Sequence, residues 1–249
     1  MGWFDRFKKP SDGNSKSGKV DLSRFERLVS NKLTQEQDRQ DAIHQLSRVG
    51  SAEAVAILLK RFNWHMDPSI TDQDEKELVL EGIVAAGDEA LQPIRDFCRR
   101  AESLTWPIKA LERIVASGHL AEELLTLLDQ FDTEYVRNPE PKVQLLSHLA
   151  AFPSEEVRLT VEPFLEDASE SVRFSAVDAV FAMGNAQSTE SLVAALEQEE
   201  SLRVRNRIAQ GLSDRHWSVP DGLTESCGRH LPQGFRIADG LVHPMPEAH

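Results

Sequence analysis

Few side chains in this sequence could do chemistry. Near its end, His216, Cys227, His230 and His243 are the four that could gather around a zinc ion. Structural zinc sites draw on ligand pairs at short spacing, and the Cys227–His230 pair has no second half of such a motif. Asp67, Asp72 and Asp74 could suggest calcium, which takes oxygen ligands. The glycine and the terminal glutamate of a calcium loop are missing, however. Asp72 reads more simply as the cap of a helix opening Asp72-Gln73-Asp74-Glu75. No metal and no cofactor is expected. A glycine-rich phosphate loop, a G-x-S-x-G elbow and an H-E-x-x-H pair are all absent from the sequence. Cys98 and Cys227 are the only two cysteines, too few for a disulfide framework or a four-thiolate site, and they fit a reducing compartment. Paired acids such as Glu122-Glu123, Glu155-Glu156 and Glu199-Glu200 fall at helix ends and read as solvated. No catalytic residue is assigned, and the chain is expected not to be an enzyme.

Two short segments read as contact surfaces instead. Trp3, Phe4 and Phe7 fall at helical spacing beside Arg6, Lys8 and Lys9. Such an aromatic–basic peptide could touch an anionic membrane surface peripherally or dock into a protein partner. Residues 10–19 read as a flexible linker. N-myristoylation does not fit, because position 6 is Arg where Ser or Thr is wanted. The second segment is Asn63 to Ile70, an insertion containing Trp64, His65 and Met66. Loops held on rigid scaffolds often carry binding residues, so these three are candidate partner contacts.

The elements that must position these segments repeat. Gly50, Gly87, Gly118 and Gly184 each follow an amphipathic stretch with the same apolar offsets. Ala42, Ile43 and Leu46 precede Gly50; Val79, Leu80 and Ile83 precede Gly87; Ala110, Leu111 and Ile114 precede Gly118; Ala176, Val177 and Val180 precede Gly184. These offsets form one face of an α-helix. Glycine then stops the helix by entering the left-handed region. A fifth copy keeps Lys142, Leu145, Leu146 and Leu149 and puts Pro153 at the punctuation point, giving spacings of 37, 31, 35 and 31 residues. A partial sixth copy has Arg205, Ile208, Ala209 and Leu212. A second amphipathic stretch follows each punctuation point, with caps expected at Ser154 and Ser188. The Trp106-Pro107 pair is expected to start a helix, with the indole against the core.

The Val172-Arg173…Ala176 helix, followed by a second leucine-rich helix, and the partial copy Val204-Arg205…Ile208 resemble the HEAT-repeat family, and in particular its short-repeat, bilin-lyase-like branch. The resemblance spans roughly residues 36–215. It implies an all-α α-solenoid, a superhelix of about five to six helix pairs, in a bacterial protein. It also implies a structural ladder of Arg39, Lys76, Arg173 and Arg205, each pairing with an acid of a neighbouring repeat; Pro107 departs from that pattern. Repeats of this kind share one continuous core and present an extended concave surface, lined by second helices, to protein partners. The His-Glu pairs of HEAT-like di-iron hydroxylases are missing here.

The organisation expected is an N-terminal segment 1–19, a solenoid 20–215 and a non-helical tail 216–249. The tail is expected to hold a β-hairpin turning at Ala238-Asp239-Gly240 and capping the stack. Net charge is −13, which disfavours nucleic acid, whose affinity rests on Lys and Arg. Arg203, Arg205, Arg207 and Arg215 are expected to pair inside the molecule with Glu197, Glu199 and Glu200. The sequence has no apolar run of transmembrane length and no apolar leader, which points to the cytoplasm. The reading that follows is a non-catalytic scaffold binding a protein partner. The alternatives are a membrane-surface adaptor anchored by residues 2–9 and an accessory enzyme of the bilin-lyase-like type.

Overall fold

A computed structural model describes residues 21–246. Trp3, Phe4 and Phe7 therefore lie outside the described residues, as does the whole of the segment 1–19 assigned to the N-terminus. After a single helix α1 (Ser23–Ser30), twelve α-helices follow among the described residues, alternately the first and second helices of six repeats. They are α2 (Glu36–Val49) with α3 (Ala52–Leu59), α4 (Ser69–Ala85) with α5 (Leu91–Cys98), and α6 (Thr105–Ile114) with α7 (Leu120–Leu128). The second half adds α8 (Glu140–Leu149) with α9 (Glu155–Val161), α10 (Glu170–Met183) with α11 (Thr189–Gln198), and α12 (Leu202–Arg215) with α13 (Thr224–His230). First helices stack on first helices, α2 on α4 on α6 and α8 on α10 on α12. Second helices form the other row, α1 on α3 on α5 and α11 on α13. The architecture is an α-solenoid.

One buried apolar cluster runs from Leu22 to Val242 without interruption. The repeated triplets supply it: Ala42, Ile43 and Leu46 are at most 1% exposed, as are Ala176, Val177 and Val180. A lone helix pair has no way to bury such a face, so each repeat is stabilised by its neighbours.

Glycine punctuation holds at three of the four points. Gly50, Gly87 and Gly184 have φ of 58°, 57° and 72°, values that a Cβ opposes. Gly118 is not in that region. There α6 stops at Ile114, where Val115 turns extended, so a β-branched residue ends the helix three positions early. Likewise α8 ends at Leu149, and Pro153 only precedes the cap of α9. Ser51, Ser154 and Ser201 accept backbone N–H bonds as N-caps. Ser188 does not; Asn185 takes that role, opening a 3-10 turn ahead of α11.

Two further assignments are corrected. Asp72 is not a cap, because α4 begins at Ser69, leaving Asp72 inside its first turn and 5% exposed. The tail is not wholly non-helical: Pro220 opens a 3-10 turn that leads into α13, the second helix of the sixth repeat, which packs on α11. Its sequence, TESCGRH, is short, polar and glycine-containing, so no periodicity announced it. The hairpin is present. Strand β1 (Phe235–Ala238) pairs with β2 (Leu241–Pro244) around Asp239 and Gly240, both at positive φ. Two such residues make the turn whose twist suits a tight hairpin. Val242 packs inward at 1% exposure, and β2 lies on α12, covering the end of the stack.

Helices α10 and α12 approach closely at Gly211, where an added Cβ would fall 2.2 Å from Phe181. Phe181 is itself 1% exposed and has little room to yield. Overpacking costs about 1–3 kcal/mol, partly offset by the ~1 kcal/mol helix preference of Ala over Gly. Gly211→Ala should therefore lower the melting temperature by roughly 2–6 °C. Gly222→Ala, where the added methyl meets open space, should leave it within about 2 °C. Calorimetry of the two variants checks this.

Candidate protein-binding surface

The charged residues near the starts of the first helices point into the molecule. Arg39 on α2 is 2% exposed. Its Nε donates to both carboxylate oxygens of Glu75 on α4 at 2.8 Å, and its Nη1 donates to the Thr34 carbonyl at 2.6 Å. Arg173 on α10 repeats the scheme. It makes a two-pronged pair with Glu199 at 2.7 and 2.8 Å and donates to the Asp167 carbonyl at 2.9 Å. Lys142 on α8 does the same with Asp167 at 2.7 Å and the Glu134 carbonyl at 3.0 Å. Each cation thus holds the loop before its own helix and an acid that lies on, or just ahead of, the first helix of the next repeat.

The other two positions differ. Lys76 pairs with Asp72 of its own helix at 2.8 Å. Arg205 donates to the His230 carbonyl at 2.6 Å, and its Nε is buried without a hydrogen bond among the described residues. At the Pro107 junction a neutral tie replaces the cation. Gln144 of α8 accepts from the Leu104 N–H at 2.6 Å and donates to Thr105. Two of the four arginines of α12 pair inside the molecule with acids of α10. Arg203 meets Glu170, and Arg207 meets Asp178. Glu199 is occupied by Arg173, so Glu197, Glu199 and Glu200 are not the partners of that cluster.

The insertion lies over the densest part of this ladder. Arg61, in a 3-10 turn extending α3 over Lys60–Asn63, is fully buried. It bonds Glu75, the Asp72 carboxylate at 2.7 Å and the Trp64 carbonyl at 3.0 Å. The Trp64 ring sits between Arg61, 3.7 Å from its centroid, and Arg39, 5.3 Å away. The Met66 N–H donates to Asp72, and its sulfur accepts from Arg39. His65 stays out, with 83% of its side chain exposed, while its Nδ1 lies 2.9 Å from Lys76 Nζ. Of the three insertion residues singled out in the sequence, Trp64 and Met66 are seated on the ladder and only His65 faces solvent. Trp106 stacks on Phe62 at 5.6 Å, joining α6 to the end of α3.

The second-helix row carries a groove. Between α3 and α5 lies a cavity of about 600 Å³ with an apolar floor of Ala52, Ala56, Pro93, Phe97 and Ala101. Lys60, Asn63, Gln92, Asp96 and Arg100 form its rim. Alanines four apart on α3 leave the space: at that spacing two residues share one helix face, and neither side chain reaches across. Arg95 of α5, paired with Glu123 of α7 at 2.6 and 2.9 Å, fixes the next helix of the row.

The candidate zinc residues are not gathered. Cys227 is buried, and burial with the nearby Glu197 charge pushes its thiol up to about 11. His230 Nδ1 lies 2.9 Å from the Ser226 carbonyl, and His216 ends α12 in the left-handed region. Among the described residues no group of three or more His, Cys, Asp or Glu is placed to hold a metal ion. No helix among them is long and apolar enough to cross a membrane. Burial alone pushes the Cys98 thiol up to about 12.

With this geometry in place, comparison with known proteins is informative in one respect. The family described as HEAT repeats matches residues 121–213, from α7 to the end of α12. No curated protein matches the chain. Ahead of the matched span, α2, α4 and α6 stack in the same way, and Arg39 pairs with Glu75 as Arg173 does with Glu199.

Two expected outcomes follow from the ladder. Glu75→Gln leaves Arg39 and Arg61 buried without their shared charge, and breaking a buried pair costs about 3–5 kcal/mol. A melting-temperature drop of roughly 6–20 °C is expected, against less than about 1 kcal/mol for Glu81→Gln at the exposed Arg113 pair. The second outcome concerns acid. Burial would raise the Asp72 carboxyl, but hydrogen bonds and charges from Lys76 and Arg61 outweigh it and hold the pKa at about 2, below the ordinary 3.8. A depressed carboxylate stabilises the fold above its unfolded pKa and loses that contribution as pH falls through the folded value. Between pH 4 and pH 2, urea unfolding should show a loss of about 2 kcal/mol from this group. Asp72→Asn should lack that increment.

Proposed function

We propose that the chain is a non-catalytic, cytoplasmic scaffold that takes an apolar-anchored segment of a protein partner into the α3–α5 groove. The groove itself carries this reading. It has an apolar floor of about 600 Å³ on a rigid helical row, within the size range of sites that bury a ligand's surface. Helix-in-groove recognition uses such shapes, with anchors at i, i+3 or i+4. The HEAT-repeat match over residues 121–213 supports a protein-binding role for the stack to which the groove's helices belong. The remaining chemistry supports it too: the two buried thiols stay protonated at neutral pH, and the strongest charges are engaged with one another.

The reading is tested by selecting peptides from a random library on the full chain. Ala56 is exposed, so Ala56→Glu alters the groove and leaves the core alone. Selected peptides should carry aromatic or aliphatic anchors at helical spacing. They should bind Ala56→Glu at least tenfold more weakly, a difference of ~1.4 kcal/mol, and bind Leu202→Glu, altered on the other row, as well as the wild type. Peptides indifferent to Ala56→Glu would refute the groove as the site.

A further inference from the structure

We propose that the α3–α5 groove binds the chain's own sequence from Trp3 to Lys9, WFDRFKK, so that a partner must displace it. This rests on the groove being a peptide-binding surface, and adds what occupies it in the free protein.

Four observations point to this occupant. The described chain begins at the groove's own side of the molecule. Asp21, Leu22 and Ser23 line a depression between α1 and α3 that shares Ala56 and Lys60 with the groove. The reach is ample: residues 10–20 span at most about 36–40 Å, whereas packed neighbouring helices lie only about 8–10 Å apart. Shape agrees as well. The small side chains of Ala52, Ala56 and Ala101 leave room above Phe97 and Pro93, and aromatic rings bury the most area for such a space.

Charge is the fourth. Residues 1–19 hold five bases and two acids, a net +3, so the rest of the chain carries −16 of the total −13. The depression leading from Asp21 to the groove is lined by Asp21, Glu26 and Lys60, with Glu26 and Lys60 paired to each other. On the groove rim beyond, Asp96 stands with Lys60 and Arg100. Arg6, Lys8 and Lys9 would thus pass Asp21 and Asp96 while Trp3, Phe4 and Phe7 fill the apolar floor. A tethered segment acts at an effective concentration in the millimolar range, so even weak intrinsic affinity keeps the groove occupied.

The test uses the full chain with p-benzoylphenylalanine in place of Phe4, irradiated and mapped by mass spectrometry. Crosslinks should be intramolecular, fall within residues 52–63 and 92–101, keep the same yield on tenfold dilution, and drop at least fivefold with Ala56→Glu. An unchanged melting temperature for Ala56→Glu shows that the fold is kept. Crosslinks scattered over the surface, formed between molecules, indifferent to Ala56→Glu, or formed only when anionic phosphatidylserine vesicles are present would overturn the proposal. The two readings separate cleanly. If library peptides depend on Ala56 while the crosslink misses the groove, self-occupancy falls and the binding site stands. If the crosslink maps to the groove while no selected peptide depends on Ala56, self-occupancy stands and the partner site falls.

Discussion

The structure depends on a buried carboxylate. Glu75 stands 1% exposed between two guanidiniums, Arg39 from the helix before it and Arg61 from the turn that ends α3. Each charge is costly to bury alone; together they are tolerable only in this geometry. That constraint fixes more than one junction. Arg39 also holds the loop before α2, and Arg61 holds the insertion through Trp64. Because Lys60 and Asn63 flank Arg61 and line the groove, the ion network sets the position of the groove's wall.

The same device recurs along the stack with different residues. Lys142–Asp167 and Arg173–Glu199 are buried or nearly so, and Gln144 supplies an uncharged version where Pro107 replaces the cation. An apolar core alone would let helices slide past one another, since hydrophobic burial has no direction. Paired charges and their carbonyl contacts have direction. Where they occur they fix the register between neighbouring repeats, and a stack in fixed register yields a surface whose grooves keep their shape.

Much of the fold was legible in the sequence because it repeats. Five copies of one apolar spacing cannot arise from a strand or a loop, and the left-handed glycines at 50, 87 and 184 marked the turns. What escaped was non-periodic. Nothing local distinguishes Gly118 from the other glycines, yet Val115 ends its helix first. α13 was too short and polar to show a face. The candidate site was legible only in outline. The second-helix row was expected to bind, but Arg61 was hidden by its position just before the insertion, and the groove arises from what is missing at Ala52 and Ala56. Trp64 read as exposed because a tryptophan in a loop has no sequence signal for the two arginines, 25 positions and three positions away, that enclose it.

A rigid ladder that holds a binding groove in shape is the central claim, and the distance across the groove tests it directly. Spin labels at Ala56→Cys and Asp96→Cys report that distance by pulsed electron resonance, while the native thiols at Cys98 and Cys227, buried and protonated, stay unlabelled. A single narrow distance distribution is predicted, broadening clearly when Glu75→Gln is added. A distribution that is already broad, or that Glu75→Gln leaves unchanged in a protein still folded, would contradict the account.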